Sequence, residues 1–417
     1  MHKKNGDVVK MIKVFRIVRD NLPIQLVLII LLTALFGDYL PTSLKQFFLT
    51  ISSVIKEVLI FVLPFVIFSY LFSCLLSFQS GAFVFVVSLL ASVILFNFTG
   101  VMVAYGIGNV VAEHLSGLSS AVPECDNVLM ALWDFSLPSL VSNDHALFTG
   151  LVLGLVAVVL RSELCSDARG SIFSFIRSDG IVNFSQKLKG YAFYFLNNLF
   201  IPVVPLFIFG FILKMQHEGM LGFVIRNYGA VFLMIVCVQV VWIFLMYMIG
   251  ANFSVSKVAT YIRNMFPALV TGISTMSGAA AMPMTLAASE KNTGSQRIAQ
   301  AVIPSTVGIH LMGDVLAIPL LVFTTMLSFG IPFPELSDYI PFAWAFVLMM
   351  FAIAAVPGGA ILSLIIVFEQ HLGFTGEMVS LITAVYLLFD SVGSMMNIAG
   401  NGAFVIIYNR VFGRFIR

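Results

Sequence analysis

Apolar residues recur along this chain in stretches long enough to cross a lipid bilayer, with short polar gaps between them. A spanning helix needs roughly 20 predominantly apolar residues. Stretches of that order begin near residue 23 and continue almost to the C-terminal end. The pattern predicts eight membrane-spanning helices, at about 23–40, 49–79, 81–111, 138–161, 187–214, 222–250, 297–328 and 377–409.

Two further apolar segments, at about 258–290 and 338–372, have small residues and a proline in the middle. The first contains GISTMSGAAAMPM and the second contains AVPGGAILS. Irregular backbone at membrane depth is tolerated only where protein or a water-lined cavity satisfies its polar groups. We therefore predict two re-entrant helical hairpins, both next to an internal cavity.

The span that follows each hairpin carries an interruption of its own. The seventh span contains HLMGD at 310–314, and the eighth contains NIAGN at 397–401, so the order polar-x-x-Gly-polar occurs twice. A broken hairpin followed by a broken span, repeated with opposite orientation, is typical of inverted repeats that enclose a binding site at the bilayer midplane.

Composition excludes a soluble protein and charge sets the orientation. Hydrophobic residues make up 60% of the chain and charged residues 10%, with a mean hydropathy of +1.03. With both termini in the cytoplasm, eighteen of the 22 lysines and arginines fall on the cytoplasmic side, as the positive-inside rule requires. We expect a multi-pass protein of the cell (inner or plasma) membrane. The net charge is only +2 and the basic residues are not pooled on one soluble face, so no nucleic-acid partner is expected.

His310, Asp314 and Asp390 fall inside the apolar stretches of the seventh and eighth predicted spans. A charged side chain at bilayer depth costs at least a few kcal/mol unless it faces a cavity or a partner, which makes each a candidate functional residue. His310 could carry a coupling proton or could simply fill space with a hydrogen-bonded ring. Asp314 follows a predicted helix break, and we interpret it as an N-terminal cap of the next half-helix.

Four segments carry a resemblance to a known family. They are IFVLPFVIFSYLF at 60–72, SLPSLVSNDHALFTGLVLGLVAVVL at 136–160, MSGAAAMPMT at 276–285 and VPGGA at 356–360. In combination they resemble the dicarboxylate/amino acid:cation symporter family, which has the glutamate transporter fold. The resemblance extends from the first span to the last.

The resemblance implies an all-α integral membrane fold with eight transmembrane helices, two re-entrant hairpins and inverted repeats. It also implies a homotrimer, in which a static scaffold supports a mobile transport core. The implied organisation is a cytoplasmic segment at 1–22, scaffold helices 1 and 2 at 23–79, core helix 3 at 80–112, scaffold helices 4 and 5 at 113–215, the remaining core at 216–409 and a cytoplasmic tail at 410–417.

Three positions depart from the family pattern. Met312 stands where the family has a carboxylate that helps to hold sodium, and Asn401 stands where it has another. Gly393 stands where the family has an arginine that clamps a side-chain carboxylate. Because Gly393 provides no anchor for a second carboxylate, the sequence favours a small neutral amino acid over a dicarboxylate.

The resemblance assigns the binding residues. Asp390 would receive the amino group of the substrate, although a structural acid bonded to Ser394 is an alternative. The expected substrate-binding residues are Asp390, Ser277, Gly278, Ser394, Asn397, Pro357, Gly358 and Gly359. The expected cation-binding residues are Gly308, His310, Asn397, Asn401 and Thr99, with a possible sodium site at Gly308, His310, Asn397 and Asn401. An amide hydrogen bond between helices is the alternative role for Asn397.

These observations predict a symporter that carries a small neutral amino acid with sodium or protons by an elevator-like motion. A C4-dicarboxylate or acidic amino acid carrier with a relocated anchoring charge is one alternative, and a pore or sensor that does not concentrate its solute is another. No metalloprotease, P-loop or GxSxG motif occurs in a supporting context, so we expect neither an enzyme nor a cofactor.

Overall fold

The computed structural model describes residues 22–77, 83–115, 128–138, 141, 143–161, 179–353 and 358–413. Every regular element in these ranges is helical. The α-helices are α1 (Leu22–Phe36), α2 (Thr42–Ser77), α3 (Phe83–Leu115), α4 (Asn143–Arg161), α5 (Asp179–Tyr194), α6 (Ile201–His217), α7 (Met220–Gly250), α8 (Val255–Thr275), α9 (Gly278–Thr293), α10 (Gln296–Thr306), α11 (Met312–Ser328), α12 (Leu336–Met350), α13 (Gly359–Leu372) and α14 (Gly376–Phe412). A 3₁₀ turn at Gly37–Tyr39 follows α1, and a π-helical turn at Phe195–Phe200 joins α5 to α6.

The all-helical fold confirms the predicted class, whereas the number of complete spans stays a prediction. Within the described residues, Phe85–Val111, Tyr228–Gly250 and Leu381–Phe412 are each long and apolar enough to cross a bilayer. The bent pair of α5 and α6, with 55° between its two parts, would make a fourth. Shorter apolar helices, among them α11, α12 and α13, cover other predicted spans and hairpin arms.

The helices pack in two groups. Helix α2 packs against α4, α5 and α6, and α6 also contacts α1. In the other group α14 lies at the centre, in contact with α7, α8, α9, α10, α11 and α13, while α3 packs on α11 and α12. Nearly all residues of α11 and most of those of α13 are buried, so the structural core lies in this second group.

The first predicted hairpin is a pair of contacting helices, α8 and α9, that breaks at Met276. Met276 adopts the left-handed conformation (φ 51°), and the Ser277 hydroxyl caps α9 by accepting a hydrogen bond from the Ala280 N–H at 3.3 Å. The second hairpin corresponds to α12 and α13, which also contact each other. Residues 354–357, which include the predicted binding residue Pro357, lie outside the described residues.

Two details of the predicted organisation are wrong. The seventh span is interrupted, because α10 ends at Thr306 and α11 starts at Met312, but the eighth is not: α14 is helical through Asn397, Gly400 and Asn401. Its glycines serve close packing, since a Cβ at Gly400 would meet the Met312 side chain at 2.8 Å. In addition, the fifth span was predicted to start near 187, but α5 begins at Asp179.

Candidate substrate and cation site

A small cavity of about 30 Å³ lies where the interrupted seventh span meets α14. It borders the first hairpin turn, the residues on both sides of the second hairpin turn, and one face of α14. Its described polar lining residues are Asp314, Tyr386, Asp390, Ser394, Asn397 and Asn401. The volume suffices for one or two water molecules. An amino acid enters only if one of the bordering segments moves.

Asp314 points into this cavity and does not cap its helix, which corrects our interpretation. It lies in the first turn of α11 and is 3% exposed. One carboxylate oxygen, Oδ2, accepts a hydrogen bond from Asn397 Nδ2 at 2.8 Å, and the other, Oδ1, accepts from the Tyr386 hydroxyl at 2.9 Å. Its side chain therefore connects α11 to α14.

Both polar atoms of the Asn397 side-chain amide form hydrogen bonds with Asp314. Besides the bond from Nδ2, its Oδ1 accepts a hydrogen bond from the Asp314 backbone N–H at 3.1 Å. That N–H belongs to the first turn of α11, where backbone donors have no partner within the helix. Asn397 thus satisfies a helix-end donor and a buried carboxylate at once, and it makes the interhelical amide contact that was its alternative role.

The hydroxyl of Tyr386 lies between two buried carboxyl groups. It is 2.9 Å from Asp314 Oδ1 and 3.1 Å from Asp390 Oδ1, so these two oxygens are separated by no more than the sum of those distances. A tyrosine hydroxyl has one hydrogen to donate. It can donate to only one of the two carboxyl groups at a time; the other carboxyl either donates its own proton to the tyrosine oxygen or, when ionised, accepts a hydrogen bond from a different group.

Asp390 also contacts the second hairpin. Its Oδ2 accepts a hydrogen bond from the backbone N–H of Gly358 at 2.7 Å, and Ser394, one turn further along α14, bonds to the same carboxylate. Gly358 precedes α13 with φ +73°, a conformation that suits glycine. The structure therefore joins Asp390, the carboxylate predicted to bind substrate, to the second hairpin by a direct hydrogen bond.

The first hairpin also borders the cavity. Met276 and Gly278 line it, and Gly278 packs on the break before α11, where a Cβ would meet Val307 Cγ2 at 3.2 Å. Ser277 is engaged as the cap of α9, and Gly359 forms the first residue of α13. The described residues among those predicted to bind substrate lie in one region.

Two glycines allow α11 and α14 to approach each other at this cavity. A Cβ at Gly313 would lie 2.4 Å from the Gly393 carbonyl oxygen, which is closer than any real contact of that kind. A Cβ at Gly393 would lie 3.2 Å from Asp314 Oδ1. The absence of a side chain at position 393 thus leaves space directly beside the Asp314 carboxylate.

The family assignment follows from comparison of the whole chain with known families. The model of the sodium:dicarboxylate symporter family matches residues 22–411. This chain belongs to the sodium:dicarboxylate symporter family. The match covers both helix groups and the cavity, and it confirms the resemblance of the four segments above. A search of curated proteins found no matching sequence.

In this symporter the predicted cation residues lie near one another but bond mainly among themselves. Asn401 Nδ2 donates to the carbonyl oxygens of His310, at 3.1 Å, and of Asn397, at 3.0 Å. Gly308 lies in the break between α10 and α11. The Thr99 hydroxyl donates to the Leu95 carbonyl of its own helix. Sodium binding by this set stays a prediction.

His310 is fully buried in an aromatic environment. Its ring centroid lies 4.5 Å from that of Phe404 and 6.0 Å from that of Phe96. Neither ring nitrogen has a hydrogen-bond partner within the described structure. The imidazole does not line the cavity, so in this conformation it has no direct route to the substrate.

Two residues of the symporter site were missed by the sequence analysis. Tyr386 bridges the two carboxyl groups, and Asn97 of α3 donates from Nδ2 to the Ile309 carbonyl at 2.8 Å, in the break before α11. Tyr386 lies four residues before Asp390 and therefore shares its helix face, which is a signal that sequence spacing carries. Asn97, a polar residue within a long apolar helix, could have been noted on the same ground as the buried carboxylates.

Proposed function

We propose that this membrane protein is a secondary active symporter for a small neutral amino acid, coupled to sodium or protons. The observation that carries the proposal is the position of Asp390 in the cavity, 4% exposed and bonded to the backbone of the second hairpin. A substrate ammonium group pairs with this carboxylate, since a buried acid gains most from a charged hydrogen-bonding partner. The substrate carboxylate binds the hairpin turns, where backbone N–H groups at helix starts favour anions.

The charge of the site opposes a dicarboxylate or acidic amino acid substrate. Asp314 and Asp390 are both carboxylic acids, and no lysine, arginine or histidine occurs among the described residues that line the cavity. A second carboxylate on the substrate would lie close to Asp314 without a cationic partner, which is unfavourable at low local dielectric. The dicarboxylate carrier is therefore the second candidate, favoured by the family name alone.

We propose an elevator-like motion of the α14-centred helix group against the α2-centred group, within a homotrimer in the cell membrane with both termini cytoplasmic. A mainly apolar cavity between the two groups supports the motion. Phe207, Ile208 and Phe211 of α6 line it from one side, and Leu362, Ile365 and Leu387 of α13 and α14 from the other. Its described polar lining residues are Lys56 of α2 and Thr383 of α14. Apolar surfaces have no directional bonds to break, so they can slide more readily than a hydrogen-bonded interface.

The test is uptake of radiolabelled serine, alanine, aspartate and succinate into proteoliposomes, with sodium and proton gradients imposed separately. Concentrative uptake of serine or alanine, abolished by Asp390→Asn and unaffected by Asp338→Asn at an exposed position of α12, is the expected result. Concentration of aspartate or succinate alone would refute the neutral substrate. Equilibration without accumulation under either gradient would support a pore.

A further inference from the structure

The cavity contains two carboxylic acids where a neutral amino acid needs only one. Asp390 accounts for the substrate ammonium, but Asp314 is equally buried, at 3% exposed, and its Oδ1 lies near the same Tyr386 hydroxyl. An uncompensated buried carboxylate is costly, so a second acid at this point needs a cationic or hydrogen-donating partner.

Among the described residues, only uncharged groups donate hydrogen bonds to this pair. Asn397 donates to Oδ2 of Asp314, Gly358 donates to Oδ2 of Asp390, and Ser394 also bonds to the Asp390 carboxylate. The two Oδ1 atoms share the hydroxyl of Tyr386, which has one hydrogen. When both carboxyl groups are ionised, Asp314 therefore lacks a cationic partner among the described residues, and a cationic group of the substrate would provide one.

The surroundings add no positive charge. On the far side of Tyr386 lies a second cavity, bordered by Phe232, Gln239, Phe389 and Gly393, and none of its described lining residues is charged. The space beside Asp314 Oδ1 is free of any side chain from position 393. A compact cation carried by the substrate can approach the carboxylate there.

From this geometry we infer that Asp314 gives the side-chain part of the site an affinity for a cationic group, so that the site accepts short basic amino acids besides the small neutral ones and binds a basic one more tightly than a neutral one of equal length. The inference rests on the proposed function, in which Asp390 holds the α-ammonium group. The two Oδ1 atoms both lie within reach of Tyr386, a spacing that suits two ammonium groups joined by a short methylene chain, as in ornithine or 2,4-diaminobutyrate.

The experiment compares ornithine with norvaline, which has the same number of side-chain carbons and no side-chain ammonium. Affinity of the purified full-length protein for each is measured in sodium-free buffer by competition against a labelled amino acid. We expect ornithine to bind more tightly by about tenfold or more, as paired charges in desolvated sites do. The readout is the ratio of the two affinities, which a change in overall folding does not shift.

Three variants complete the test. Asp314→Asn should bring the ratio close to one, and Gly393→Ala should lower it by placing a methyl group 3.2 Å from Asp314 Oδ1. Asp338→Asn, at an exposed position of α12, should leave it unchanged. A wild-type ratio near one, or a high ratio that survives Asp314→Asn, overturns the inference. If sodium strengthens binding of both ligands equally and the ratio is near one, Asp314 serves a metal cation and the inference is wrong.

A different result would contradict the proposed function. If Asp390→Asn leaves the binding of norvaline and ornithine unchanged, Asp390 does not hold the α-ammonium group, whatever the ratio between the two ligands.

Discussion

Replacing Gly313 with alanine tests whether the close approach of α11 and α14 holds the two carboxyl groups in place. The added Cβ would lie 2.4 Å from the Gly393 carbonyl oxygen and 2.9 Å from Asn397 Oδ1. A backbone carbonyl cannot rotate away as a flexible side chain can, so the two helices must separate by more than half an ångström to restore a 3.0 Å contact. Overpacking of this kind costs about 1–3 kcal/mol.

The expected result is a loss of about 1–3 kcal/mol in the free energy of unfolding, together with loss of uptake, because separation of the helices breaks the Asn397–Asp314 pair. Stability is measured by equilibrium denaturation in detergent and uptake in proteoliposomes. Gly106→Ala in α3 is the matched control, since a Cβ there meets nothing within 4 Å. Alanine favours a helix over glycine by about 1 kcal/mol, so this control should be neutral or stabilising. Equal stability of the two variants would refute the reasoning.

Three further substitutions have defined outcomes. Asn397→Ala leaves the Asp314 N–H and carboxylate without their partner, at about 1–3 kcal/mol for each buried group, and should be seen as a lower denaturation midpoint and reduced uptake. Gly358→Ala should impair uptake far more than Gly373→Ala. Both glycines have a positive φ, but of the two only a Cβ at 358 would meet Leu387, at 2.6 Å. Equal effects of the two substitutions would contradict a role for the backbone at Gly358 in transport. His310→Phe should retain gradient-driven uptake, because a phenyl ring can keep the packing against Phe96 and Phe404. Loss of proton-driven uptake alone would instead identify His310 as the proton carrier.

Much of the fold followed from patterns that the chain carries locally. The breaks at Met276 and before Met312 coincide with small and polar residues inside apolar runs, and such residues have few roles in a membrane other than lining a cavity. The same reasoning failed for α14. Glycine and asparagine at 400 and 401 look like a break in sequence, but there the glycine provides room for Met312 and the helix continues.

The sequence indicated which residues belong to the site better than it indicated which of them bond to one another. Buried charge singled out Asp314 and Asp390, because apolar surroundings make such residues conspicuous. The role of Asp314 depends on which side chains of α14 face it. That is set by how α11 and α14 cross, and the residues that meet there, Asp314 and Asn397, are 83 positions apart in the sequence. Local capping preference therefore suggested the wrong partner, and Tyr386 was overlooked because a tyrosine in an apolar span has many ordinary roles.

The most direct test of the central claim is to compare the binding of alanine with that of lactate, in which a hydroxyl replaces the ammonium group. If Asp390 receives the ammonium group, alanine binds at least about 30-fold more tightly, since a buried charge pair is worth 2 kcal/mol or more. Asp390→Asn should remove that preference, and Asp338→Asn should keep it. Equal binding of alanine and lactate to the unaltered protein, or a preference for alanine that persists in Asp390→Asn, would contradict the account.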